Sequence, residues 1–327
     1  MRMLVADVGA TKTLLAIATL EGEHIALEAL RREPTPRQAL EALLGDFLKR
    51  SDGAVECVVL GVPGPVREGR CKATNLPWTV DAVALREHLA VAHVWLINDL
   101  EAVAWGLDDL GPDQLHNLNA ADARARGHRA VIAPGTGLGE AGLYWDGARH
   151  HPFATEGGHT DFAPGTALHT RLQDYIRGRF GHASWERVLS GRGLVNLYEF
   201  MLADRGLTAP DWFAQARAQG DAAPAVSGAG LERRCPVAAD TLRLFAGLLG
   251  AETGNLALKL DAQGGVYIGG GIAPRILPVL EAGDFLQAFR SKGRMSHLLE
   301  RIPVRLILEP ATPLYGAARY AQRMLHH

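Results

Sequence analysis

Cysteine is scarce: only Cys57, Cys71 and Cys235 occur, too widely spaced for a disulfide framework or a CxxC metal knuckle. A reducing compartment suits such a chain. No uninterrupted apolar run approaches ~20 residues, and Asp7 places a carboxylate where a signal peptide would be apolar. Membrane insertion and secretion are therefore not expected, and a cytoplasmic location is. An excess of one charge is also missing, since the formal net charge is -2. Lys and Arg are scattered and lack interleaved aromatics, which argues against a nucleic-acid or membrane partner.

What is there describes an ordinary globular protein. The 327 residues are 47% hydrophobic and 21% charged, and that length favours two domains. Met3 to Val8 reads as a strand buried on both faces, followed by strands over Leu14 to Leu20 and His24 to Leu30. A dinucleotide-type crossover would place a helix after the first glycine loop, so this meander argues against one. Thr35, Pro36 and Gln38 supply the N-cap, first-turn proline and capping-box signals of a helix whose apolar face runs from Leu40 to Leu48. A strand is expected over Val55 to Leu60, then a rigid loop over Gly61 to Pro65, because two prolines and two glycines oppose regular structure. Asp81 to Leu89 reads as helix, and Val94 to Ile97 as a strand that delivers Asn98 and Asp99 at its carboxyl end.

Ala120 to Arg129 reads as a surface connection near a domain boundary. Beyond it, strand, glycine loop and strand recur over Ala130 to Trp145, and this partial repeat suggests two related lobes facing one cleft. Helices dominate from Gly165 onward, with a loop expected between Asp221 and Gly230. The longest helical pattern starts at Pro236. Leu242, Phe245, Leu249, Leu256 and Leu260 form its apolar face, and Gly247, Gly250 and Gly254 a stripe that permits close backbone approach. Val266 to Ile268 is expected as a strand, Pro274 as the start of a helix, Val304 to Leu308 as the last strand and Leu314 to Leu325 as the last helix.

Several groups could carry chemistry. In Asp7-Val8-Gly9-Ala10-Thr11, the Gly9 turn lets N–H groups converge on an anion, Thr11 adds a hydroxyl, and Asp7 could hold a water of hydrated magnesium. An ordinary hairpin turn would use the same residues. Gly135, Thr136, Gly137 and Gly139 offer the equipment again, and two such loops strengthen the phosphate reading; no GK[ST] closes either, so neither is a Walker loop. Gly269-Gly270-Gly271 could let an adenine or ribose lie on bare backbone, or simply relieve a crowded strand-helix turn. Asp99 suits a general base that takes an alcohol's proton as its oxygen attacks phosphorus; its competing role is N-cap of the next helix. Glu156 and His159, beside Gly157 and Gly158, could read a polyol together with Asn98 and Asp99. Structural hydrogen bonding or zinc are the other uses of that pair, though no HExxH pattern accompanies it.

These segments, in this order, resemble the bacterial glucokinase family within the actin-like superfamily of sugar kinases. The resemblance rests on the Asp7 loop, Thr74-Asn75-Leu76-Pro77-Trp78, Ile97 to Ala102, the Gly135 loop, Glu156 to Pro164, Glu186 to Gly191, Gly193 to Tyr198 and Gly269 to Arg275, across nearly the whole chain. It implies an α/β, two-lobed actin-like ATPase (ribonuclease H-like) fold with a central cleft for glucose and Mg-ATP. The implied division is a small domain over 1–110 completed by helix 311–327, and a large domain over 111–310. Asp99 would be the catalytic base and Asn98 a sugar contact, with Glu156, His159 and Glu186 completing the glucose site. Glu186 alone would read as a solvated helix residue. A homodimer is also implied. Ala10 and Lys12 depart from the family's usual glycine and asparagine, and Pro134 from its alanine, which removes a backbone donor. The rival readings are a kinase for mannose, fructose or an N-acetylhexosamine, and a non-catalytic sugar sensor.

Overall fold

The computed structural model describes residues 1–36, 40–51, 54–72, 78–122 and 126–325. Gln38, and Thr74 to Pro77 of the family motif, lie outside them.

β1 (Arg2–Val8), β2 (Lys12–Glu21) and β3 (His24–Pro34) form the antiparallel meander. After α1 (Leu40–Arg50), β4 (Cys57–Val62) runs parallel to β1, with Asp7 opposite Gly61. Short strands β5 (Val66–Arg67), β6 (Arg70–Lys72) and β7 (Thr79–Asp81) make a separate sheet. α2 (Ala82–Leu89) follows, with the Asp81 side chain accepting from the N–H groups of Val83 and Ala84. β8 (His93–Asn98) then pairs parallel to β4, and α3 (Asp99–Trp105) leaves its end. The order β3-β2-β1-β4-β8 puts the carboxyl ends of β1 and β8 on one edge, two strands apart. That edge is where open α/β sheets bind ligands.

The second sheet repeats the plan. Its elements are β9 (Leu115–Asn117), the meander β10 (Arg129–Pro134), β11 (Leu138–Trp145) and β12 (His150–Thr155), and later β13 (Gly265–Ile268) and β14 (Val304–Ile307). The helices α4 (Ala167–Phe180), α5 (Gly191–Asp204), α6 (Asp211–Gln219), α7 (Ala222–Leu231) and α8 (Pro236–Lys259) lie between β12 and β13, and α9 (Leu277–Leu280), α10 (Asp284–Arg290) and α11 (Ser296–Leu299) between β13 and β14. Sheet order is β12-β11-β10-β13-β14-β9, the same arrangement with β9 added at one edge.

Alternation along β1 explains why both faces of the first sheet are covered. Met3 and Val5 face the apolar stripe Leu314, Ala317, Ala318 and Ala321 of α12 (Thr312–Leu325). Leu4, Ala6 and Val8 face Leu40, Leu44 and Phe47 of α1. The last helix therefore returns to the first sheet, where it crosses α3 at contact distance. A Cβ on Gly316 would stand 1.7 Å from the Ala102 carbonyl oxygen, and one on Gly106 2.2 Å from that of Thr312. Two glycines thus set the approach of the helix that carries Asp99.

Several expectations are corrected. The third strand continues to Pro34, and the fourth is shifted to Cys57–Val62, so Gly61 and Val62 are buried strand residues and only Pro63 to Pro65 remain as loop. The loop expected at 221–230 is helix α7, whose Ala222, Val226 and Ala229 are buried; a Cβ on Gly230 would meet the Ala238 carbonyl oxygen at 2.8 Å, so that glycine serves helix packing. Pro274 opens a 3-10 turn before α9. In α8, Gly250 and Gly254 admit the backbone of Phe285 and Phe289, whereas Gly247 faces open space. The Thr35 hydroxyl donates to the Gly9 carbonyl at 2.7 Å, so it braces the first glycine loop.

Candidate active site

Asn98, the last residue of β8, is the N-cap of α3: its Oδ1 accepts from the N–H groups of Leu100 at 2.9 Å and Glu101 at 3.2 Å. Its Nδ2 donates to the Gly64 carbonyl at 3.3 Å, which leaves one amide hydrogen for a ligand. Asp99 is therefore not the cap. It is the first residue of the helix, with Oδ1 accepting from Leu100 N–H at 2.9 Å. Burial pushes the Asp99 carboxyl up to about 6, against the backbone hydrogen bond, and the charge of Glu156 adds to the rise. Asp7, at the end of β1, is raised to about 7 by burial and by the charge of Asp99. Asp7 and Asp99 stand at the carboxyl ends of β1 and β8, two strands apart, and the charge of Asp99 opposes ionisation of Asp7, so the pair forms an anionic centre.

The glycine loops face this centre. Gly9 N–H donates to the Lys12 carbonyl at 3.0 Å, and a Cβ there would lie 2.8 Å from that oxygen. Across the cleft, Gly135 N–H donates to the Gly137 carbonyl at 2.8 Å. A Cβ on Gly137 would stand 2.4 Å from Glu186 Oε2, and one on Gly139 would overlap Leu100 at 2.3 Å. Glycine at these positions thus makes room for a carboxylate and for the helix that Asp99 opens.

Glu186 occupies a turn before α5, not a helix. Its Oε2 accepts from Leu138 N–H at 3.1 Å, leaving Oε1 for another donor. Glu156 and His159 flank a 3-10 turn and approach within 3.9 Å, both largely exposed to the cleft.

One cleft of about 300 Å³ brings together Asp7, Gly9, Asn98, Asp99, Gly135, Thr136, Gly137, Gly139, Glu156, His159, Glu186 and Gly270. Thr11, Gly269 and Gly271 are not among its walls. Gly269 is instead held in the sheet by a 2.8 Å bond to the Ile132 carbonyl, while Gly270 takes a φ of 77° against Pro134. Thr136 and Gly135 also border an adjoining cavity of about 410 Å³ lined by α7 and by Ile272 and Arg275.

Sequence reasoning missed Glu140. It is 2% exposed, its Oε1 has no hydrogen-bond partner, and its Oε2 lies 2.0 Å from where a Gly157 Cβ would be. Burial, then the charge of Glu252, pushes it up to about 8. The available signal was a carboxylate inside an otherwise apolar strand.

The sequence profile of the glucokinase family matches residues 4–324. The chain belongs to the glucokinase family. The glucokinase of Nostoc punctiforme is 38% identical over 98% of this chain and 99% of its own length, and that of Synechocystis sp. 37% identical over 96% of each. Among solved structures, a glucokinase from an Antarctic psychrotroph superposes with a TM-score of 0.83 at 31% identity, covering 98% of this chain and 99% of that one. A ROK family glucokinase from Streptomyces griseus, solved with glucose and AMPPNP, shares the fold at a TM-score of 0.67 and 24% identity, covering 99% of this chain and 100% of that one. The two sheets are accordingly the lobes of the actin-like sugar-kinase fold. No described helix is long and apolar enough to cross a membrane.

Proposed function

We propose that this glucokinase-family chain transfers the γ-phosphoryl group of ATP to the 6-hydroxyl of D-glucose, giving glucose 6-phosphate and ADP, with Asp99 as general base. The carrying observation is the meeting of Asp99, two glycine loops and the Glu156, His159 and Glu186 set in one cleft. A carboxyl near 6 is largely ionised at neutral pH, so it can take the hydroxyl proton as the oxygen attacks phosphorus. The remaining hydrogen of Asn98, the free oxygen of Glu186, Glu156 and His159 supply acceptors and donors for the other hydroxyls. Gly9 and Gly135, whose own N–H groups close the turns on Lys12 and Gly137, would shape the two loops, and Thr136 and Gly137 would hold the phosphates on backbone N–H groups, while the adjoining cavity suits the adenosine.

Magnesium fits as a companion of the nucleotide, since the described residues hold no cluster of three or more metal-ligating side chains and the Asp7–Asp99 pair calls for a cation. Asp7 would hold it through water. Its chemistry there is neutralisation of phosphate charge. Closure of the lobes, 1–110 with 311–327 against 111–310, would exclude water that could hydrolyse ATP. A homodimer is part of the same proposal on family resemblance, and a cytoplasmic location on the scarce, widely spaced cysteines.

An assay of sugar-dependent ADP release tests this, run over glucose, mannose, fructose and N-acetylglucosamine, with ATP, ADP and polyphosphate as donors. The expected result is the highest kcat/KM for glucose with ATP. Higher kcat/KM for another hexose would reassign the substrate, and glucose binding without turnover would make the chain a sensor.

A further inference from the structure

A second, larger cavity of about 1120 Å³ shares no wall residue with the catalytic cleft. It lies at the other end of α3: Asp99 opens that helix at the catalytic cleft, and Ala104 and Trp105 close it here. Asp99 and Trp105 stand six positions apart along the helix, roughly 9 Å at the usual rise. α12 forms part of the cavity wall, and the end of β11 with the β11–β12 hairpin forms another part.

The charge in this cavity is unbalanced. Five arginines line it against three carboxylates, Glu23, Asp108 and Asp109. Those carboxylates are already engaged. Asp108 accepts from Arg129 at 2.6 Å, while Asp109 and Glu23 both accept from Arg319, at 2.6 Å and 2.9 Å. Arg126 and Arg323 form no ion pair among the described residues, and Arg149 comes only within 3.7 Å of Asp146, whose same oxygen already meets His151 at 2.6 Å. Arg126 and Arg323, with Arg149 only loosely paired, therefore line a concave space from both sides without a closely bound anion. Their planar donor forks match phosphate oxygens in pairs.

We propose that this cavity is a second ligand site, taking a small, multiply charged phosphate anion between α12 and the second sheet through Arg126, Arg149 and Arg323. Trp105 and Trp145 stand in the same walls and give the site an optical reporter. The occupant presses on the helix that positions Asp99, while the chemistry itself needs none of the three arginines.

Two sources share this ligand chemistry, an inorganic polyphosphate and an organic phosphate ester. Calorimetric and tryptophan-fluorescence titrations of the full chain separate them, with inorganic tripolyphosphate in one arm and glucose 6-phosphate in the other. Glucose and AMPPNP saturate the catalytic cleft throughout, at fixed free Mg²⁺. The expected result is one equivalent bound in at least one arm, weakened ten-fold or more by Arg126→Glu with Arg323→Glu and weakened by added salt. Arg149→Glu, on an exposed hairpin, should weaken it independently should the double variant fail to fold. Silence in both arms, or affinity unchanged by these charge reversals, overturns the proposal.

Discussion

The Glu186 carboxylate accepts a hydrogen bond from Leu138 N–H at 3.1 Å, so a group assigned to the sugar is fastened to the loop assigned to the phosphates. Gly137 makes the contact possible, because its Cα leaves the space the carboxylate fills. Gly137→Ala would put a methyl group 2.4 Å from Glu186 Oε2. The expected outcome is a fall in kcat/KM for glucose of about 10- to 100-fold, with far-ultraviolet circular dichroism unchanged. Steady-state kinetics beside Glu186→Gln should show similar losses, and an Ala variant with normal glucose kinetics would break the link.

The acid limb of the rate profile should report the Asp99–Asp7 pair. Asp99 is raised to about 6 and Asp7 to about 7, so with both ionised in the active form kcat/KM should fall by about ten-fold per unit between those values and by about 100-fold per unit below both. Since Glu156 contributes to the rise at Asp99, Glu156→Gln should move the limb to lower pH while raising the glucose KM. Profiles from pH 5 to 8 check both, and an unmoved limb contradicts the electrostatic reading.

The sheets were legible because Met3 to Val8 and Ala130 to Ala133 are apolar on both faces, and the two glycine loops marked where each meander turns. Asp99 was legible because a strand end followed by helix signals fixes its place. Glu186 was not, since its partner, Leu138, is 48 residues away and no local pattern encodes the meeting. α7 was misread because glycine, serine and proline resemble a loop until Gly230 is seen against α8. The Thr35 hydroxyl braces Gly9, 26 residues back, a contact no local cap signal reveals, while the residues it would cap lie outside those described.

Glu140 provides a stability test. A carboxyl raised from an unfolded value near 4.5 to about 8 binds more protons in the folded state. Its contribution is therefore intact below about 4.5 and is lost as pH rises through about 8. Glu140→Gln removes that loss, so the variant's Tm should gain on the native protein as pH rises and exceed it at pH 9. Thermal melts from pH 5 to 9 decide it: parallel curves would mean Glu140 ionises freely.

The central claim is that Asp99 removes the proton of the attacking hydroxyl. The most direct measurement is glucose-dependent ADP release by Asp99→Ala, alongside glucose binding and a thermal melt. The account predicts turnover lower by about 10²- to 10⁴-fold, the range a general base supplies, with the fold retained. Turnover within a few-fold of the native protein would contradict it.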